Sequence, residues 1–331
     1  MKRRSLLKGL TASLALGMPD TLSALPKMDG KIELDRAGCF SLDGNKLRFT
    51  HPGVRRDFRI TVIADTHLFR DDERGRPFRF YSGRMAQAYN RTRHFLTGAE
   101  TNPEAAFEET VAKAVEGQSE FIALLGDIFS FPSEAAIDWS LDVLRGSGMP
   151  FFYTAGNHDW HYEGMDGSSA SLRTEWIEKR LKKMYPDADP LMYMTERFGV
   201  RFIFIDNSTY EILPEQLAFF QSAMKAEKPA LLFMHIPLYA PGRPVSFGCA
   251  HPDWGARTDR NHELERRVQW PSKGHSKTTL EFRQAVISNP NLLGVVAGHI
   301  HNPSVDIVNG MPQVVTEANA EGGWLDISFQ S

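Results

Sequence analysis

Five short apolar runs in the chain each end on residues that can bind a metal ion. The runs cover residues 60–64, 121–126, 151–156, 230–234 and 292–298, and they precede, in this order, Asp65 and His67, then Asp127, then Asn157 and His158, then His235, then His299 and His301. Such runs are typical of strands buried on both faces. In open α/β sheets, ligands bind just beyond the carboxyl ends of such strands. The pattern therefore predicts a dinuclear metal site at the strand ends.

The candidate ligands are carboxylates, imidazoles and one amide oxygen, without a thiolate. A carboxylate can bridge two cations about 3.5–4 Å apart, and neutral imidazoles add affinity without adding charge. This donor set suits Mn, Fe, Zn or Co and does not select among them. One histidine after a strand is more often an ordinary core or surface group. The prediction depends on the whole set occurring together.

The segments around these runs predict the elements that position the candidate ligands. Residues 46–50 and 58–64, with a turn at 51–53, indicate a β-hairpin. Helices are predicted at 103–117, 133–144, 168–184 and 214–227, and further strands at 202–205, 304–308, 312–316 and 324–329. The alternation of strand and helix favours an α/β fold.

Two segments, near 69–101 and 237–276, have neither helical nor strand periodicity and are predicted to be loop insertions. Long ordered loops are more often functional than structural. The simplest interpretation of His161, His251, His262 and His275 is that they are solvated loop residues, although the last three lie in an insertion that could face a substrate. Basic residues in both insertions could contact a second anionic group, but solvated surface charge is the simpler interpretation of each one.

With 331 residues and 42% hydrophobic content, the chain can bury a large core in one or two domains. One domain is expected over residues 28–331, because the candidate ligands run from Asp65 to His301 and must converge. The net charge of −3 and the pI near 6.4 lack the signature of a polyanion-binding protein. A genomic nucleic acid is therefore not an expected partner.

Residues 1–27 are predicted to be an export signal and linker. The segment Lys2-Arg3-Arg4-Ser5-Leu6-Leu7-Lys8 resembles a twin-arginine signal, with Leu6 where the pattern usually has Phe. The apolar stretch that follows is far shorter than the roughly 20 residues of a membrane span, so no stable span is expected. These features predict a periplasmic or secreted protein, with the twin-arginine export machinery as a partner. The alternative is a frayed basic terminus with a chance arginine pair.

Cys39 and Cys249 are the two cysteines of the chain. In an oxidising compartment they could pair. Two unlinked thiols remain the alternative, because the sequence gives no distance between them. Neither cysteine has the spacing of a metal ligand.

Five motifs occur in the order and spacing of the calcineurin-like metallophosphoesterase superfamily. They are Asp-x-His at Asp65 and His67, Gly126-Asp127, Gly156-Asn157-His158-Asp159, His235, and Gly298-His299-Ile300-His301. The resemblance spans roughly residues 58 to 330. It implies a four-layer α/β/β/α metallophosphoesterase sandwich with mixed sheets, and an enzyme that hydrolyses the phosphate ester of a small molecule, either a monoester or a diester.

The resemblance also implies a role for each motif residue. Asp65, His67, Asp127 and His301 would hold one divalent or trivalent metal ion, and Asp127, Asn157, His235 and His299 would hold the other. A metal-bound hydroxide would attack phosphorus while His158, which is not a ligand, would act as a general acid towards the leaving oxygen. Asp159 could orient His158, although an aspartate in such a turn often only bonds to nearby backbone.

Two well-known subfamilies are not matched. Purple acid phosphatases use a Tyr ligand three residues after the Gly-Asp carboxylate, where this chain has Ser130. Protein Ser/Thr phosphatases carry Gly-Asn-His-Glu, whereas this chain has Asp159. A non-catalytic binding or scaffold protein on the same fold is the alternative function, and the complete ligand set argues against it.

Overall fold

The computed structural model describes residues 38–185, 187–258, 260–264, 266–267, 269 and 271–331. The predicted export signal and linker therefore lie outside the described residues. The strands are β1 Cys39–Asp43, β2 Lys46–Thr50, β3 Phe58–Ile63, β4 Thr92–Arg93, β5 Glu100–Thr101, β6 Ile122–Leu125, β7 Phe151–Thr154, β8 Met192–Arg197, β9 Val200–Ile205, β10 Ala230–Phe233, β11 Leu292–Ala297, β12 Ser304–Val308, β13 Met311–Val315 and β14 Leu325–Gln330. The α-helices are α1 Arg79–Ala88, α2 Pro103–Glu116, α3 Glu134–Ser147, α4 Ser169–Lys179, α5 Pro214–Ala223, α6 Asn261–Leu264 and α7 Lys277–Ile287.

Two six-stranded mixed sheets form the centre of the fold. Their strand orders are β1-β2-β14-β3-β6-β7 and β12-β13-β11-β10-β9-β8. Within the first sheet β3, β6 and β7 are parallel, and within the second β9, β10, β11 and β13 are parallel. All five apolar runs of the sequence therefore form parallel strands, as predicted.

The side chains between the sheets and outside them define four layers. Phe49, Val62, Phe202, Leu231 and other buried residues from both sheets pack together between the sheets. The outer face of the first sheet packs against α2, α3 and α4. The outer face of the second packs against α5 and α7. Burial of each large apolar side chain contributes roughly 1.5–3 kcal/mol relative to exposure. The predicted α/β/β/α sandwich is confirmed.

Polar caps explain where the main helices begin. The Asn102 side chain accepts from the Ala105 amide at 3.0 Å, and Pro103 supplies the first residue of α2. Ser133 and Ser168 cap α3 and α4 in the same way. Such caps satisfy amides that have no partner inside the helix. The four predicted helices are present, the third as α4 followed by the short 3-10 helix Leu181–Met184. None of the helices in the described ranges is long and apolar enough to cross a membrane.

The predicted hairpin of residues 46–50 and 58–64 is wrong. β2 pairs with β1 in an antiparallel hairpin, and β14 lies between β2 and β3. The reason is packing by the C-terminal strand: Phe329 stands opposite both Phe49 and Phe58, and its ring stacks on Phe58 at 4.6 Å. A local turn signal could not reveal a strand that arrives from the other end of the chain.

The two predicted insertions are less irregular than expected. Residues 69–101 contain the 3-10 helix Glu73–Phe78, α1 and the small β4–β5 sheet. Residues 237–276 contain the 3-10 helix Val245–Phe247 and α6. In α1 only Ser82 and Met85 are buried, so no apolar stripe marks it as a helix in the sequence.

Candidate metal centre

The loops after β3, β6, β7, β10 and β11 bring the candidate ligands together at the carboxyl ends of the parallel strands. The candidate ligands form two groups of three: one is Asp65, His67 and His301, and the other is Asp127, His235 and His299. Within each group the potential ligand atoms lie within 4.8 Å of one another. The sequence separation of these residues shows that the sheets, not local chain geometry, create the site.

The first group has the spacing of atoms that share one ion. His67 Nε2 lies 3.0 Å from His301 Nε2, which lies 3.4 Å from Asp65 Oδ1. Two ligands about 2.1 Å from an ion and at right angles to each other are about 3 Å apart. The Asp65 carboxylate also accepts from the His299 amide at 2.8 Å, which ties the two groups together.

The second group is oriented by backbone contacts. His235 Nδ1 donates to the Leu125 carbonyl at 2.8 Å and turns Nε2 towards Asp127 Oδ2, 3.1 Å away. A metal-binding histidine typically uses its second nitrogen in this way. Asn157 is 5% exposed, and its Oδ1 has no hydrogen-bond partner among the described residues. An unpaired buried oxygen is costly, and a cation would satisfy it. The residues present therefore fit a metal centre.

Backbone conformations are unusual throughout the site. Asp65, His67, Asp127, His299 and His301 all have positive φ, between 48° and 74°. For residues with a side chain this costs of order 1–3 kcal/mol each and is concentrated at functional sites. Neighbouring glycines allow the backbone to pass close to two of the carboxylates. A Cβ at Gly156 would collide with the Asp127 carboxylate, and a Cβ at Gly298 would collide with the Asp65 carboxylate.

The charges of the site are strongly coupled. Burial raises the pKa of Asp127, but the histidines around it, His235 foremost, outweigh burial and hold that pKa well below its usual range. Burial lowers the pKa of His235, and the Asp127 carboxylate more than compensates, so the pKa rises to about 10. Burial and neighbouring imidazoles lower the pKa values of His67 and His299 well below normal. Those two rings are therefore neutral, as metal binding requires.

His158 borders both groups without belonging to either. Its amide donates to Asp127 Oδ1 at 2.8 Å, and its ring centroid lies 5.2 Å from that of His67. The side chain is half-buried. This position leaves the imidazole beside the candidate ligands and accessible from outside.

Asp159 bonds to backbone, not to His158. Its two oxygens accept from the amides of Phe129 at 2.8 Å and Gly156 at 2.7 Å. Complete burial, together with repulsion from Asp127, raises the pKa of Asp159 to about 7. Of the two roles considered from the sequence, the structure supports the second: Asp159 links the loops after β6 and β7.

Tyr89 and Tyr210 also contact candidate ligands, although the sequence did not single them out. Tyr89 Oη lies 3.3 Å from His301 Nδ1, and Tyr210 Oη lies 3.1 Å from His299 Nε2. Burial and the carboxylates of Asp127 and Asp65 raise the pKa of Tyr89, so it is a neutral phenol. No periodicity or motif marks either tyrosine, because both reach the site through tertiary packing.

The prediction that four other histidines are solvated is wrong. His161, His251 and His262 are at most 8% exposed, and the His275 side chain is fully buried. The His275 ring stacks on Trp254 at 3.9 Å, accepts from the Ala250 amide and contacts Glu211. The insertion after His235 thus has a core of its own, which buries side chains that a loop would leave in water. Cys39 and Cys249 are free thiols, the first exposed and the second buried.

The four-layer fold and the two ligand groups define a metal-dependent hydrolase. Residues 58–303 match the family model described as calcineurin-like phosphoesterase. Because this match covers most of the sequence, the chain belongs to that family, and it is a hydrolase that acts on phosphoester bonds.

Solved structures with similar folds are distant in sequence. A dimetal phosphatase from Danio rerio is 13% identical with a TM-score of 0.47, over 80% of this chain and 88% of that one. A purple acid phosphatase from yellow lupin (Lupinus luteus) seeds is 12% identical with a TM-score of 0.47, over 84% of this chain and 47% of that one. A phosphopantetheinyl hydrolase from Mycobacterium tuberculosis is 14% identical with a TM-score of 0.38, over 81% and 92%. No curated protein matches the chain significantly.

Proposed function

We propose that the chain hydrolyses a small-molecule phosphate ester, monoester or diester, at a dinuclear centre of Mn, Fe, Zn or Co. The observation that carries the proposal is the convergence of six candidate ligands in two groups, together with the buried Oδ1 of Asn157, which has no hydrogen-bond partner among the described residues. A non-catalytic scaffold would not need to maintain these donors in costly backbone conformations.

Each candidate ligand has a role in this proposal. Asp65, His67, Asp127 and His301 would hold one ion, and Asp127, Asn157, His235 and His299 would hold the other. When bound, the ions would polarise the phosphoryl oxygens and lower the pKa of the attacking water. Asp127 can serve both ions because its two oxygens already face different partners, the His158 amide and His235 Nε2.

His158 is the proposed general acid. The hydrogen bond from its amide to Asp127 fixes the backbone next to the metal groups, and its half-buried ring remains free to reach a substrate. A proton transferred from the imidazole to the leaving oxygen would neutralise the departing alkoxide.

Replacement of Asp127 tests this function. Asp127→Ala should abolish turnover and remove most of the bound metal, because one carboxylate serves two cations. The measurement is metal content together with rates on phosphomonoesters, diesters, nucleotides and phospholipid head groups, with each metal supplied separately. Cys39→Ser is the control: its exposed thiol is not a candidate ligand, so activity should be unchanged. Wild-type protein that binds metal but cleaves no ester would favour the scaffold, and a fully active Asp127→Ala variant would refute the site assignment.

The same proposal includes export to the periplasm or the outside of the cell by the twin-arginine machinery. It is supported by the Arg3-Arg4 pair and the apolar stretch after it. This route transports folded proteins, so the metal centre could be loaded before export.

A further inference from the structure

The two tyrosines contact the last two histidines in a complementary way. Tyr89 follows α1 directly and reaches His301 Nδ1, with 3.3 Å between Oη and the nitrogen. Tyr210 lies in the loop between β9 and α5 and reaches His299 Nε2, with 3.1 Å between the atoms. One tyrosine therefore contacts a member of the first ligand group, and the other a member of the second.

These contacts determine which nitrogen each histidine presents to its group. His301 directs Nε2 towards Asp65 and His67, and its Nδ1 faces Tyr89. With Nε2 bound to a metal ion, its Nδ1–H would be the donor to Tyr89. His299 places Nε2 against Tyr210. With Nδ1 bound to the metal ion of Asp127 and His235, its Nε2–H would donate to Tyr210. Two histidines separated by one residue would thus present opposite nitrogens, and one phenol would match each tautomer.

Further features restrain the two phenols themselves. The Tyr89 ring stacks on His67, with centroids 4.1 Å apart and an interplanar angle of 13°. Tyr89 thereby contacts two of the three members of the first group. Tyr210 is 3% exposed and has a φ of 62°, a conformation that is rare for an aromatic residue. The fold retains this strained conformation, which is expected where a side chain must be held in one place.

We propose that Tyr89 and Tyr210 are positioning residues, one for each metal ion, which set the ring orientation and tautomer of His301 and His299. The inference rests on the proposed dinuclear site. Partners of this kind orient a metal-binding imidazole and raise its basicity. A neutral phenol does so without adding a negative charge to a centre that already holds two carboxylates.

The test measures metal affinity directly. Tyr89→Phe and Tyr210→Phe keep each ring and remove only the hydroxyl, so packing is preserved. Equilibrium dialysis with Co²⁺, read by metal content and the visible absorption spectrum, should show one of the two dissociation constants rising about 10–100-fold in each variant. The other constant should stay close to that of the wild type.

Double variants assign each effect to its histidine. In a His301→Ala background, Tyr89→Phe should cause no further loss, whereas in a His299→Ala background its effect should persist. For Tyr210→Phe the pattern should be reversed. Tyr239→Phe is the matched control, because that ring packs on His251 and Arg283 and contacts no candidate ligand.

The outcomes separate this inference from the proposed function. Wild-type protein that binds no metal would defeat the proposed function. Wild-type protein that binds two ions, with both constants unchanged in the tyrosine variants, would overturn only the positioning role. Equal losses of metal affinity from a tyrosine substitution in the two histidine backgrounds would also overturn the positioning role, since they would indicate a general effect on folding.

Discussion

At the scale of single residues, the leaving group decides how much His158 can contribute. A departing alkoxide is strongly basic and needs a proton, whereas a nitrophenolate leaves readily without one. His158→Ala should therefore lose about 10²–10⁴ in rate on an alkyl phosphate, the usual size of acid catalysis, and much less on a nitrophenyl phosphate. Both rates are measured on one preparation.

Metal content on the same preparation separates catalysis from ligation. His158→Ala should retain both ions, because the candidate ligand side chains are untouched and only the His158 amide, which remains, bonds to Asp127. His51→Ala, in the turn after β2, is a control for the loss of an imidazole away from the site. Equal losses on the two esters would assign His158 to positioning or charge stabilisation, and loss of metal would make it a ligand.

The candidate ligands were predictable from sequence because each follows a strand whose apolar run is unmistakable. The structure places His301 Nε2 3.4 Å from Asp65 Oδ1, although the two residues are 236 positions apart in the sequence. Tyr89 and Tyr210 were not predictable, since their contacts depend on where α1 and the loop after β9 pack. The roles of all these residues remain predictions until metal binding is measured.

At the scale of elements, a deletion of residues 257–270 tests the second insertion. It removes the buried His262 but keeps the Trp254–His275 stack. The Gly255 backbone lies against Pro271 and Gly274, so a short linker could close the gap. The removed segment includes Arg267, whose guanidinium lies 5.0 Å from the ring centre of Tyr210.

Removal of residues 257–270 should change substrate preference more than metal content. The Arg266 carbonyl accepts from the Gly164 amide in the loop after His158, and Arg267 lies over Tyr210. The segment therefore contacts two parts of the chain that lead to the site. Relative kcat/KM values across the ester panel should shift by about tenfold or more, the size of one lost substrate contact. Unchanged ratios with intact metal content and an unchanged Tm would contradict a role in selectivity.

Secondary-structure prediction succeeded where a strand is buried along its length and its sequence is continuously apolar. It failed where an element packs against segments that are distant in the sequence. The runs that became β3, β6 and β10 are buried along nearly their whole length. In contrast, α1 has little buried surface, and the place of β14 between β2 and β3 depends on packing between the two ends of the domain. Only tertiary contacts reveal such features.

At the scale of the whole molecule, the first described strand begins at Cys39, and every candidate catalytic residue lies beyond it. The predicted signal of residues 1–27 therefore holds none of the candidate ligands. Export and catalysis should be separable by mutation, and the single-domain arrangement of residues 28–331 remains a prediction.

Replacement of Arg3 and Arg4 by lysine should block export while leaving the enzyme intact. Lysine conserves the charge of the basic segment but removes the guanidinium pair of the twin-arginine pattern. Cell fractionation should find the double variant in the cytoplasm and the wild type in the periplasm or medium, with the wild type also retained in cells that lack the twin-arginine translocase. Lys8→Arg, which conserves charge outside the pair, is the control and should be exported normally.

The retained variant should bind metal and cleave esters as the wild type does, because its folded domain is unchanged. Equal export of the double variant would show that the arginine pair is a chance feature of a basic terminus.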